Sequence, residues 1–243
     1  MLIQTEGIVI KQNPYKEKDA MISVLTKDGM VSFLARSVLS LTSKNKSACL
    51  PFSLAEFSLS SKSDKLTLTQ AKLVKSYSKF YESLDLLSSI NLISECICKF
   101  VDEENTTLYP YLKNYLELLD KGFDEATLTT IMLAQIIKYS GYSLEYNECV
   151  ECGSKNNIVG VSFSLGGFIC CKCVNESFIK KSQIYLKSFR YSFMLPADMM
   201  DHYVLDKKVC YQLINDFCNH LCNSFGIHEI KALEIYNISK NPF

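Results

Sequence analysis

Residues 7–36 read GIVIKQNPYKEKDAMISVLTKDGMVSFLAR. Three short β-prone runs fall inside them, Ile8–Ile10, Met21–Leu25 and Val31–Leu34, rich in branched and aromatic residues and partly alternating with polar ones. The second and third are separated by Thr26-Lys27-Asp28-Gly29. Asp-Gly supplies the positive φ that a tight hairpin turn requires, so these two runs pair. Two further runs follow, Phe52–Leu59 and Leu66–Thr69, after a longer connection from about Ser37 to Pro51. Five short strands with one long connection predict a small barrel. An OB-fold, five-stranded and partly open, is the natural candidate, with an SH3-like barrel as the alternative.

From about Ser83 the apolar period lengthens. Leu84, Leu87, Ile90, Ile93, Cys96, Ile97 and Phe100 recur at helical spacing, and Tyr111, Leu112, Tyr115, Leu116 and Leu119 repeat the pattern. A third helix has Asp124 near its start and Gly141 just past its end, the residue types that cap those two termini. Further on, Val209, Cys210, Leu213, Ile214, Phe217, Cys218, Leu221, Cys222 and Phe225 make an apolar seam on a long helix. The fold class expected is α+β. Residues 1–80 form the barrel, and residues 81–243 form a helical domain that carries residues 148–174 as an insertion.

That insertion, ECVECGSKNNIVGVSFSLGGFICCKCV, holds five of the chain's eleven cysteines. Cys149, Cys152, Cys170 and Cys173 give C-x2-C-x17-C-x2-C, a spacing suited to a four-cysteine zinc site. Each C-x-x-C turns a knuckle that brings two thiolates to one ion. Between the pairs, Val159–Leu165 alternates and Gly166–Gly167 can turn the chain back, the outline of a zinc ribbon. Cys171 is then spare, since pairing it with Cys173 leaves one residue for the turn. Four thiolates fill a tetrahedron and leave no position for water, so the expected zinc is structural, with an iron–sulfur cluster, a redox C-x-x-C or no metal as the alternatives. Cys210, Cys218 and Cys222 lie on the apolar seam and read as core residues, as do Cys96 and Cys98, which cannot share one helical face. A second site of Cys218, Cys222 and His220 is disfavoured because His220 points off that face.

Over the whole 243 residues, 26 Lys+Arg balance 26 Asp+Glu. The balance conceals a split. Residues 1–80 hold twelve basic against six acidic side chains, net +6, and residues 81–148 hold four against twelve, net −8. Residues 149–243 hold ten against eight, net +2. A basic barrel suits a polyanionic partner, which the acidic middle would repel. No apolar run approaches the ~18 residues needed to span a bilayer. The N-terminus lacks the pattern of a secretory signal, and abundant cysteine without one suits reduced thiols in the cytoplasm. There is no phosphate-binding loop, no H-E-x-x-H and no G-x-S-x-G, and there are three histidines. Binding, rather than catalysis, is the expected occupation. The candidate nucleic-acid contacts are Lys11, Lys16, Lys18, Arg36, Lys44 and Lys46. Tyr15 is a candidate stacking surface, and Phe33 is better placed in the barrel core.

In this order, the parts resemble those of the RecO family. GIVIKQNPYKEKDAMISVLTKDGMVSFLAR is similar to the family's opening, LPFSLAEFSLS to its PF-containing section, and LTLTQAKLV to the strand that closes its barrel. SGYSLEYNECVECG followed by FSLGGFICCKC is similar to its paired cysteine segments. The resemblance implies an OB-fold, a helical domain and a zinc-binding insertion. It also implies a recombination mediator that binds single- and double-stranded DNA and anneals strands. Such a mediator contacts single-stranded DNA-binding protein and, with RecR, helps load the RecA recombinase. No cofactor beyond zinc and no nucleotide hydrolysis are implied. One departure stands out: Leu39 and Ser40 occupy positions where the family commonly carries an Arg pair, which predicts weaker DNA binding or more reliance on RecR. The competing reading is a non-catalytic scaffold whose barrel and ribbon dock other proteins.

Overall fold

The computed structural model describes residues 2–62, 65–175 and 178–240. The chain forms two compact units, Met1–Ser83 with Asp102–Leu116, and Leu84–Val101 with Glu117–Phe243.

In the first unit, β1 (Leu2–Tyr15), β2 (Asp19–Thr26), β3 (Gly29–Ala35), β4 (Leu54–Lys62) and β5 (Lys65–Lys75) close a barrel in the order β1-β2-β3-β5-β4. β4 returns to β1 along an antiparallel ladder from Leu2↔Ser60 to Ile8↔Leu54, while β3 meets β5 in parallel at Leu34↔Thr67. This is an OB-like barrel. Inward positions alternate as period-two strands require: Ala20, Ile22 and Val24 on β2, Phe33 and Ala35 on β3, and Ala55, Phe57 and Leu59 on β4 form one core with Val9. The rings of Phe33 and Phe57 meet at 5.3 Å. Each of the larger side chains among them (Val9, Ile22, Val24, Phe33, Phe57 and Leu59) contributes roughly 1.5–3 kcal/mol when withdrawn from water. A bulge between Val9 and Lys11 shifts the pairing of β1 with β2, and β1 extends well beyond the apolar run Ile8–Ile10. The hairpin turn forms as its residues require. Thr26 Oγ1 accepts from the Asp28 amide at 3.1 Å and donates to the Gly29 carbonyl at 2.8 Å. Gly29 has φ +113°, and a Cβ there would lie 2.4 Å from the Glu103 carbonyl oxygen, so no other residue fits.

Asp102–Leu116 joins the barrel through specific bonds. The Met30 amide donates to the Glu103 carbonyl at 2.6 Å. From α2 (Leu108–Asp120), Tyr109 donates to the Glu6 carboxylate at 2.7 Å and Lys113 pairs with it at 3.3 Å. The Tyr109 hydrogen bond and the Lys113 charge outweigh partial desolvation and hold the Glu6 carboxyl below its ordinary value.

The second unit contains α1 (Leu84–Phe100), α3 (Glu125–Tyr139), α4 (Gln183–Met194), α5 (Lys207–Phe225) and α6 (Lys231–Lys240), with a hairpin of β6 (Ile158–Ser162) and β7 (Gly167–Cys170). α3 is its axis: every residue from Ala126 to Ile137 is buried. Asp124 caps it by accepting from the Thr127 amide at 2.8 Å, and Gly141 beyond its end has φ +88°. On α5, Asp206 caps through the Val209 amide and Gly226 ends the helix in the left-handed conformation. Phe189 and Phe193 of α4 pack on Phe217 of α5 with ring separations of 5.8 and 5.5 Å. The side chain of Lys240, on α6, is buried and pairs with Glu125 at 2.9 Å and Asp85 at 3.1 Å, tying α6 to α3 and α1. Among the described residues, no helix is long and apolar enough to cross a membrane.

Candidate metal centre and nucleic-acid interface

The first knuckle begins at Cys149, whose amide donates to the Ser154 carbonyl at 2.9 Å while its carbonyl accepts from the Gly153 amide at 2.8 Å. Gly153 has φ +69°, the left-handed turn that lets the chain double back after Cys152. The second knuckle is closed by the Cys173 amide, which donates to the Cys170 carbonyl at 3.1 Å. The β6–β7 hairpin carries the knuckles to one another, with its reversal at residues 163–166 and Gly167 already in the strand. Val150 donates its amide to the Phe168 carbonyl at 2.9 Å, joining the first knuckle to β7. Phe178 lies over Gly160, where a Cβ would come within 2.3 Å of the ring.

The result is a gathered donor set. The sulfur atoms of Cys149, Cys152, Cys170 and Cys173 all lie within 4.8 Å of one another. Cys152 and Cys170 are 3.6 Å apart, and Cys170 and Cys173 3.7 Å. A tetrahedral ion with metal–sulfur bonds of ~2.3 Å has sulfur–sulfur edges of about 3.8 Å, so the cluster fits that geometry. Its electrostatics fit as well. Desolvation opposes the Cys149 thiolate, but amide donors from Cys170, Cys152 and Glu151 outweigh it and bring the thiol down to about 6. Hydrogen bonding to Cys152, then desolvation, pushes the neighbouring Cys173 thiol well up. One negative charge is accommodated by the protein; four need a cation. The cluster can hold a metal ion. Cys171 is exposed and outside the cluster, its amide bonded to the Asn157 carbonyl at 2.9 Å.

This is the one such group among the described residues. Cys218, Cys222 and His220 are not brought together: His220 is buried and its Nε2 lies 3.0 Å from the Tyr142 carbonyl oxygen. Cys96 is buried, but the core reading fails for Cys98, which is exposed because two positions along α1 turn it to the opposite side of the helix, and Cys222 is only partly buried. Burial pushes the Cys49 and Cys210 thiols to about 12 and about 11, the state of inert core residues.

The six candidate cations lie in the barrel unit. Lys11, Lys16, Lys18, Arg36 and Lys44 are exposed and Lys46 is half-buried. Among the described residues, none of the six makes an ion pair. The strand register sets which side chains share the outer face. Lys11 is opposite Ser23, and Ser23 opposite Ser32; Asn13 is opposite Met21, and Met21 opposite Leu34; Tyr15 is opposite Asp19. Ser23 and Ser32 meet through their hydroxyls at 3.0 Å, which fixes that row on the outside. Residues two apart point the same way, so Lys11, Asn13 and Tyr15 line one surface with Met21. Tyr15 is 48% exposed, with the Lys16 ammonium 5.4 Å from its ring centre. Phe33 is fully buried. Met21 escaped the sequence reading, and only its register with Asn13 reveals it.

The connection from β3 to β4 is tied to the β1–β2 turn. The Leu39 amide donates to the Lys18 carbonyl at 2.9 Å, and the Ser37 amide to Asp19 Oδ1 at 2.8 Å. Farther along, Asn45 Oδ1 accepts from the Ala71 amide of β5 at 3.0 Å. These bonds bring Lys18 and Arg36 to one end of the face and anchor the segment bearing Lys44 and Lys46. Leu39 packs against the barrel core, which explains an apolar residue there.

Comparison with known proteins agrees with this architecture. Residues 1–77 match the family described as Recombination protein O N terminal, and residues 76–192 match Recombination protein O C terminal. The DNA repair protein RecO of Caldicellulosiruptor bescii is 28% identical over 183 residues, covering 74% of this chain and 75% of the relative. That of Bacillus subtilis is 28% identical over 179 residues, 72% and 70% of the two chains. That of Thermoanaerobacter sp. is 27% identical over 196 residues, 78% and 79%. With an OB-like barrel, a helical unit and a four-cysteine cluster in the same order, this chain belongs to the RecO family of DNA repair proteins.

Proposed function

We propose that this protein is a non-catalytic recombination mediator of DNA repair, which binds and anneals single-stranded DNA and, with RecR, helps load the RecA recombinase. In this reading residues 1–80 are the nucleic-acid-binding domain and residues 148–174 are a zinc-held insertion in the helical domain. DNA, single- or double-stranded, lies across the outer face of β1–β3. Lys11, Lys16, Lys18, Arg36, Lys44 and Lys46 neutralise phosphates, and Tyr15 offers a ring for stacking. The zinc, held by Cys149, Cys152, Cys170 and Cys173, is structural and takes no part in chemistry, because four thiolates complete its coordination. Single-stranded DNA-binding protein is the further partner, and the cytoplasm the site of action.

The observation that carries the proposal is a group of cations, five exposed and Lys46 half-buried, that make no ion pair among the described residues and surround an exposed tyrosine on an OB-like barrel. Unpaired cations on a face with apolar and hydroxyl groups suit a polyanion with stacked bases better than an ordinary protein surface. The test is annealing of complementary labelled oligonucleotides, with and without RecR, at two salt concentrations. Faster annealing that weakens with salt is expected. Unchanged annealing, with salt-independent capture of protein partners, would favour a docking scaffold instead.

A further inference from the structure

We propose that Leu41 is an apolar wedge that enters a base step of DNA held against the barrel by the surrounding cations. The inference rests on the reading of the barrel as the DNA-binding part. Leu41 is 91% exposed, more than any other large hydrophobic residue described. Single exposed leucines are common on surfaces, so its setting decides the matter.

That setting is built. Consecutive tight turns carry the chain through it: the Ser40 amide donates to the Ser37 carbonyl, Ser43 to Ser40, and Lys46 to Ser43, at 3.2, 3.2 and 3.3 Å. The hydroxyls of Ser40 and Thr42, on either side of Leu41, are 3.2 Å apart. The base of the segment is fixed by the Leu39–Lys18 and Ser37–Asp19 bonds and by Leu39 and Val38 in the barrel core. Asn45 anchors the other end on β5. The turns thus hold a bare isobutyl group outward with Arg36 before it and Lys44 and Lys46 after it.

Around the leucine, Ser40, Thr42 and Ser43 offer hydroxyls that suit phosphate oxygens. A polyanion drawn to these cations brings one apolar surface with it, the faces of its stacked bases. Leucine is among the side chains that proteins insert between base steps, partly unstacking them. Such a group would separate DNA strands or splay single-stranded bases before they re-pair.

The experiment uses the full chain and oligonucleotides carrying 2-aminopurine, single-stranded and duplex, whose fluorescence rises on unstacking. At saturating protein, the unaltered chain raises the signal. Leu41→Ser is expected to reduce that rise at least ~3-fold while changing the dissociation constant by anisotropy less than ~3-fold, because phosphate contacts dominate affinity. Leu41→Phe keeps the rise. An undiminished rise with Leu41→Ser at equal saturation overturns the inference. Lys44→Ala/Lys46→Ala separates the two failures. If that variant binds as tightly as the unaltered chain, the barrel reading fails. If it weakens binding while Leu41→Ser leaves the rise intact, the wedge alone fails.

Discussion

The barrel face and the cysteine cluster arrange charge in opposite ways. In the cluster, four sulfur atoms lie within 4.8 Å of one another, too close to ionise together without a cation between them. On the barrel, six cations stand in or near water without ion pairs among the described residues. A donor set turned inward on one point stabilises the chain that carries it; charges turned outward along a surface await a partner of opposite sign. The two regions should therefore fail differently when altered, one in folding and the other in binding.

The largest effect falls on the inward set. Structural zinc contributes on the order of 10–16 kcal/mol in small zinc-binding peptides, so Cys170→Ser should leave the insertion unable to hold its shape. Elemental analysis should show about one zinc per chain in the unaltered protein and far less in the variant, with amide protection lost in β6 and β7. Iron in place of zinc would recast the cluster as redox-active.

Lys240 sharpens the contrast, because it is a lysine used in the inward manner. Its side chain is 5% exposed and answers Glu125, itself 12% exposed. Lys240→Met leaves the nearly buried Glu125 carboxylate with only the Ser89 and Thr129 hydroxyls among the described residues and should cost about 3 kcal/mol, the low end for a broken buried pair, read by chemical denaturation of the helical unit. Substituting the exposed Lys44 should leave the same curve unmoved.

On the barrel, Tyr15→Ala should weaken single-stranded DNA binding by about 1–3 kcal/mol, the range for one stacked base, with the salt slope unchanged. An altered slope would mean that Tyr15 acts by placing Lys16 rather than by stacking. The smallest effect is a gain. Ser40→Arg adds one cation to the basic segment and should steepen the salt slope by about 0.7 for single-stranded DNA. Leu39 is a poorer site for that change, since its side chain packs on the core.

Much of this was legible in the residues. The hairpin at Asp28–Gly29, the ends of α3 at Asp124 and Gly141, and the four cysteines each depend on local chemistry, which sequence records directly. β1 was longer than its apolar centre because Leu2–Gly7, half polar, is held by pairing with β4 rather than by its own pattern. α4 is only faintly marked: Ser182 caps it through the Tyr185 amide and Tyr185, Phe189 and Phe193 recur every four residues, but its Tyr, Phe and Ile residues are indifferent helix formers, and packing of Phe189 and Phe193 on Phe217 fixes it. The attachment of Asp102–Leu116 to the barrel rests on Tyr109–Glu6 and Met30–Glu103, bonds across long stretches of chain that leave no periodic trace. The bonds joining Leu39 to Lys18 and Asn45 to Ala71 are equally invisible in sequence, and they give the basic segment a fixed place.

The central claim is that the barrel's outward cations bind DNA. Its most direct test is fluorescence anisotropy of a labelled single-stranded oligonucleotide, titrated across a salt series with the unaltered protein and with Lys44→Ala/Lys46→Ala. Affinity should fall as salt rises, and the double variant should lower the logarithmic slope by about 1.4, near 0.7 for each phosphate contact removed, with its thermal melting unchanged. Salt-independent binding, or a double variant with the slope of the unaltered protein, would contradict the account.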